Sequence, residues 1–198
     1  MSNYPQNING QATMANSSPV VIASDQSAVS ISSSIKDNRG SHTTLTTTNL
    51  AALANSATVG WQSQKVDLVA TALDYEIFVK LTMQAGTPAN DKVAYVYVCP
   101  FYYDGTSYYA ASQGTTTLPT GTQGTTTIAS PNNLRLLGVL SYTASAMVLQ
   151  DTFLISNCFG AEMPDAFSII IINFTGATTN ATVANNVVAY KTINRINA

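Results

Sequence analysis

The stretch Glu76-Ile77-Phe78-Val79-Lys80-Leu81-Thr82-Met83 alternates residue by residue. Ile77, Val79, Leu81 and Met83 fall on one face, and Glu76, Lys80 and Thr82 on the other, which is the pattern of a half-buried β-strand. Farther along, residues 92–99 are apolar on both faces: Val93, Tyr95, Tyr97 and Cys99 on one, Ala94, Val96 and Val98 on the other. That pattern suits an inner or covered strand. Ser168-Ile169-Ile170-Ile171-Ile172-Asn173 must also be central, because consecutive isoleucines on an exposed edge would pair with other chains. Asp104-Gly105 supplies a hairpin turn between Phe101-Tyr102-Tyr103 and Ser107-Tyr108-Tyr109. Strand-length runs at residues 134–142, 147–156, 166–175 and 181–190, each bounded by turn-forming residues, bring the expectation to about eight strands. With hardly any helical periodicity, the class is all-β: an antiparallel β-sandwich of jelly-roll kind.

Only 9% of the residues are charged, against roughly a quarter in a common soluble domain. Neutral Thr, Ser, Asn and Gln replace them, leaving little self-repulsion between neighbouring copies, so the surface suits dense packing beside other proteins. A net charge of −2 offers no basic field for phosphates, which argues against nucleic acid as a partner. The sequence contains no apolar run of about 18 residues, the length a spanning helix requires, so no membrane contact is expected. Met1-Ser2-Asn3-Tyr4-Pro5-Gln6 lacks the basic and apolar segments of a secretory signal, and synthesis in the cytoplasm is expected.

Residues 1–60 differ from residues 61–198, the expected sandwich body. They are rich in Ser, Thr, Asn and Ala, with apolar side chains in short clusters that would offset little ordering entropy. Val20, Val21 and Ile22 follow Pro19, and Val29, Ile31 and Ile35 stand among serines, as strand-sized pieces without a sheet of their own. Asn49 is placed to cap a helix of about two turns with Leu50, Leu53, Ala54 and Ala57 on one stripe. The expectation is an extended N-terminal arm ordered by partner contacts.

No convergent catalytic set stands out. Asp74 and Glu76 would share a strand face, but beside Lys80 at a strand entrance they read as solvated charges. Asp151, Glu162 and Asp165 fit no cation-loop spacing. His42 stands apart from any nucleophile motif and from Cys99 and Cys158, which lie in apolar runs and read as reduced, buried hydrophobes rather than a disulfide or metal ligands. The sequons at Asn16, Asn173 and Asn180 are chance matches in an Asn/Thr-rich chain. No enzyme, cofactor or metal is expected. Tyr102, Tyr103, Tyr108 and Tyr109 flank the hairpin, and alternation would leave about two of them exposed, for protein contact or, as the alternative, for carbohydrate.

Four segments carry a resemblance: Ala15-Asn16-Ser17-Ser18-Pro19-Val20-Val21-Ile22-Ala23-Ser24-Asp25-Gln26, Asn90-Asp91-Lys92-Val93-Ala94-Tyr95-Val96-Tyr97-Val98, Asn132-Asn133-Leu134-Arg135-Leu136-Leu137-Gly138-Val139 and Phe167-Ser168-Ile169-Ile170-Ile171-Ile172-Asn173. Together they resemble small virion structural proteins of tailed bacteriophages. The resemblance implies a decoration or cement protein on the outer surface of the capsid, or else a neck or fibre component that recognises the host surface. Long triple-stranded shaft repeats are absent, which favours the head. Implied partners are the major capsid protein or other virion proteins and further copies of the chain, a homotrimer at local three-fold positions fitting a symmetric shell. The arm anchors would be Val20, Val21, Ile22, Val29, Ile31 and Ile35. Body contacts would come from Trp61 at the junction and from Tyr102, Tyr103, Tyr108 and Tyr109.

Overall fold

The computed structural model describes residues 35–111, 121–160 and 162–197. They form two curled antiparallel sheets packed face to face, the general arrangement of a β-sandwich. In the first sheet, β1 (Ile35–Arg39), β12 (Val187–Asn197), β5 (Ala72–Thr82) and β10 (Val148–Leu154) lie side by side, and β2 (Thr43–Thr44) also pairs with β12. The second runs β7 (Tyr108–Ala110), β6 (Val93–Tyr103), β11 (Ala166–Phe174), β3 (Val59–Gln62), β8 (Gly124–Thr127), with β9 (Arg135–Ser141) on β6 and β4 (Val66–Asp67) on β11.

The apolar faces of residues 76–83 and 92–99 pack as their patterns predict, although Glu76 on the opposite face is buried too. Ile77, Val79, Leu81 and Met83 are buried in the core between the sheets, facing Ala94, Val96 and Val98 of β6 and Phe167, Ile169 and Ile171 of β11. The isoleucine run is central, with β6 on one side and β3 and β4 on the other, and the face of β11 turned away from the first sheet is covered as well. There Ile170, Ile172 and Ala166 join Cys99, Phe101, Ile128 and Leu134 in a second apolar layer. Two covered faces explain why residues 92–99 and 168–172 lack polar alternation. Each fully buried isoleucine stabilises the fold by about 1.5–3 kcal/mol relative to exposure.

The body begins well before residue 61. Leu45, Leu50 and Leu53, expected in the arm, are core residues packed with Trp61. Thr47 Oγ1 donates to the Asn186 carbonyl at 3.0 Å, and the Thr179 hydroxyl donates to the Leu50 carbonyl at 2.6 Å. The helix expected after Asn49 is a single 3-10 turn, Thr48–Leu50. It is too short to nucleate further, and Ala52, with φ of 56°, turns the chain so that Leu50 and Leu53 are both buried. The last strand begins at Val187 rather than near residue 181, because Asn180 Oδ1 accepts from Thr182 N at 2.8 Å and holds a turn there. The described residues carry twelve strands, against the expected eight. Several of the additional ones are two to five residues long and come from residues 35–67, where no long alternation marks them.

β1 pairs with the part of β12 that runs past β5. The β5 pairing ends at Asn194 opposite Ala72, whereas β1 pairs onward to Asn197 opposite Ile35. The chain therefore enters the described body at the outer end of a two-stranded ribbon.

Candidate interaction surface

The hairpin of β6 and β7 extends beyond the covered part of its sheet. Tyr102 lies opposite Tyr109, and Tyr103 opposite Tyr108, so each face of the ribbon carries one aromatic pair. All four rings are exposed, from 38% at Tyr108 to 57% at Tyr109. Alternation predicted that half would be buried. It fails here because Phe101 and Ala110 are the last pair inside the outer apolar layer, and past them no apolar layer of the described residues covers the ribbon.

Local interactions fix the platform. Asp104 Oδ1 accepts from Thr106 N and Ser107 N, each at 2.8 Å, and Gly105 takes a φ of 97° that an L side chain rarely adopts. Those two amides, joined by the Tyr109 hydroxyl, hold the Asp104 carboxyl below its usual 3.8. The Tyr103 hydroxyl donates to the Gly105 carbonyl at 2.8 Å, and the Tyr103 and Tyr108 rings meet at 4.8 Å. Lys65 Nζ stands 3.4 Å from the centre of the Tyr108 ring and pairs with Asp67, a cation–π contact that the sequence reading did not anticipate. Desolvation, then the hydrogen bond to Asp67, pushes the Tyr108 hydroxyl up. Asp165 Oδ2 accepts from Tyr103 N at 2.7 Å, tying the base of the hairpin to β11's entrance. The result is a pre-organised aromatic surface suited to a protein contact or to stacking on a flat ligand.

Trp61 is fully buried, so it has no face to offer a partner; Gln123, with its amide oxygen turned to the indole, accepts from Trp61 Nε1 at 2.9 Å. Asp74 and Glu76 are both buried rather than solvated, and each is occupied structurally. Asp74 accepts from Tyr75 N at 2.7 Å, Ser156 N at 3.0 Å and the Ser156 hydroxyl at 2.5 Å, so it ties the start of the short helical turn Ser156–Phe159 to β5. Glu76 pairs with Arg39 and, at 2.6 Å, with Lys191, and His42 Nε2 lies 3.9 Å away. Arg39 and His42 lie outside the expected body of residues 61–198, and their approach to Glu76 could not be inferred from spacing along the chain.

Cys99 is buried and free, and burial pushes its thiol up to about 12. Cys158 is half-buried and free, its thiol also raised by burial, and it lies 3.3 Å from the Leu136 carbonyl. Asn173 is fully buried, its Nδ2 donating to the carbonyls of Leu53 and Ala177, which closes that sequon to modification. Asp151 Oδ1 accepts from Thr152 N, and Glu162 is exposed. Among the described residues, no three His, Cys, Asp or Glu side chains come together as a metal site, and no helix is long and apolar enough to cross a membrane.

Val20, Val21, Ile22, Val29 and Ile31 lie outside the described residues, as does Asn16; of the expected anchors only the backbone of Ile35 is placed, at the start of β1. No model of a known protein family matches the chain, and comparison with curated proteins returns no match.

Proposed function

We propose that this chain is a non-enzymatic virion structural protein, a capsid decoration protein that stabilises a phage head through contacts of its leader and body with capsid subunits. The observation that carries the reading is the junction between the two parts. A charge-poor β body carries a two-stranded ribbon, and residues 1–34 join the outer end of that ribbon at Ile35. The sequence upstream, residues 1–34, has Asp25 as its only charged side chain and holds the strand-sized clusters around Val20 and Val29. Such a segment meets neighbouring neutral surfaces without electrostatic penalty, and leader and body contacts reinforce one another once either has formed. Binding only to the assembled shell stabilises it by mass action.

We further infer a jelly-roll-like path. Passage from β5 to β6, from β9 to β10 and from β11 to β12 carries the chain from one sheet to the other each time, which supports this connectivity. Homo-oligomers, with a trimer at local three-fold positions, suit the low surface charge.

The test is a reconstruction of the virion together with co-sedimentation of the purified chain on undecorated phage heads. Density for the body on the outer shell, with saturable binding, is the expected result; absence of the chain from purified virions would overturn the assignment. The four exposed hairpin tyrosines favour a second reading, a neck or fibre component that recognises the host surface. Adsorption of the isolated body to host cells, abolished by replacing Tyr102 and Tyr109 with Ser, would select it.

A further inference from the structure

At the far end of β6 from the hairpin, a cleft of about 150 Å³ opens on the outer face of the second sheet. Ile172 and Phe174 of β11, Tyr95 and Tyr97 of β6, Pro131 and Ala57 line it, with Asp91 as the only charged residue in the lining. The Tyr95 and Tyr97 rings lie 6.1 Å apart, inclined at 30°. The Tyr95 hydroxyl donates to Asp91 Oδ2 at 2.5 Å, which fixes both the ring and the carboxylate, and Asp91 Oδ1 has no partner among the described residues.

The turn that presents Asp91 is held in an unusual shape. Asn90 and Lys92, on either side, both have left-handed backbones, with φ of 58° and 57°. That region is uncommon for a lysine. Lys92 N donates to the Ala89 carbonyl, the Lys92 carbonyl accepts from Tyr142 N, and Asn90 Nδ2 donates to Asn55 Oδ1. The Lys92 side chain is not part of the cleft lining, so the carboxylate is not neutralised from within.

We propose that this cleft receives the guanidinium of an arginine side chain presented by a partner protein. Three features select that group. The cleft is too small for a whole ligand of ordinary size, which needs roughly 300 Å³ or more, yet it admits the end of one side chain. Aromatic faces and a lone carboxylate both attract a cation, and neither repels it. A flat guanidinium stacks on a tyrosine ring while donating to the free carboxylate oxygen, whereas an ammonium is a point charge that keeps its water more tightly. The site is separate from the tyrosine hairpin and does not depend on the virion reading.

The experiment is an NMR titration of the full chain with N-acetyl-arginine amide, with N-acetyl-lysine amide and methyl galactoside as comparison probes. The arginine amide is expected to shift the Asp91, Tyr95 and Tyr97 resonances with a dissociation constant on the order of millimolar. Asp91→Asn, which keeps the shape and removes the charge, should weaken it about tenfold. Tyr97→Leu should weaken it about threefold, and serves as the second variant if Asp91→Asn folds poorly. Equal binding of the lysine amide or the galactoside, or an unchanged titration in Asp91→Asn or Tyr97→Leu, would overturn the proposal, as would arginine-induced shifts confined to other parts of the chain.

Discussion

Glu76 shows how a residue's role is set by neighbours that its own segment cannot reveal. Within residues 76–83 it reads as the solvated member of an alternating strand, and its exposure in an isolated sheet would have matched that reading. The structure buries it beneath Arg39 of β1 and His42 and beside Lys191 of β12. Removing the carboxylate leaves Lys191 largely buried without its partner, so Glu76→Ala should destabilise the fold by about 2–3 kcal/mol, measured by chemical denaturation. Asp104 presents the opposite case, since Asp-Gly between aromatic strands is legible as a turn and the structure has that turn. Its carboxyl is held below 3.8, so the folded hairpin favours the charged form. The resulting stabilisation is present above that value and is lost as pH falls through the lower, folded one. A pH titration of the Thr106 and Ser107 amide resonances should therefore show a midpoint below 3.8, and a midpoint at or above it would contradict the hydrogen bonding described.

At the scale of elements, legibility followed pattern length. β5, β6 and β11 each carry enough residues for their faces to be counted, and those three strands supply ten of the twenty-two buried residues of the core between the sheets. β2 and β4, two residues each, have no periodicity to read; they exist because β12 and β11 offer them free edges. β3 is short as well, and what specifies it is a close approach rather than alternation. A Cβ on Gly60 would lie 2.6 Å from the Ile171 carbonyl oxygen and 3.1 Å from Ile128 Cδ1, so β3 can sit against β11 there only without a side chain. Gly60→Ala should cost about 1–3 kcal/mol, because the obstacle is backbone and cannot rotate away. Gly124→Ala, in the strand paired with β3 and with no atom within 4 Å of the added methyl, is the control expected to leave the melting temperature within a degree or two.

For the molecule as a whole, the packed body reaches back at least to Leu45, well before residue 60. A leader judged by composition alone ran to Trp61, since Ser, Thr and Asn dominate throughout and Leu45, Leu50 and Leu53 are too sparse to suggest a core. Those three leucines nonetheless complete the packing around Trp61, while the described core draws on nothing upstream of residue 45. Two truncations therefore separate folding from attachment. A chain lacking residues 1–34 should melt as the full chain does; if the proposed decoration role holds, it should also lose most of the affinity for undecorated heads, because avidity disappears with one of two linked contacts. A chain lacking residues 1–60 should lose the three buried leucines together with β1 and β2; at about 2–5 kcal/mol for each leucine truncated from a core, little of the stability of a small domain would remain. If the shorter truncation binds as tightly as the full chain, attachment belongs to the body alone and its tyrosine hairpin becomes the first surface to mutate. If that truncation instead unfolds, residues before Ile35 contribute to the core and the division between leader and body has to be redrawn.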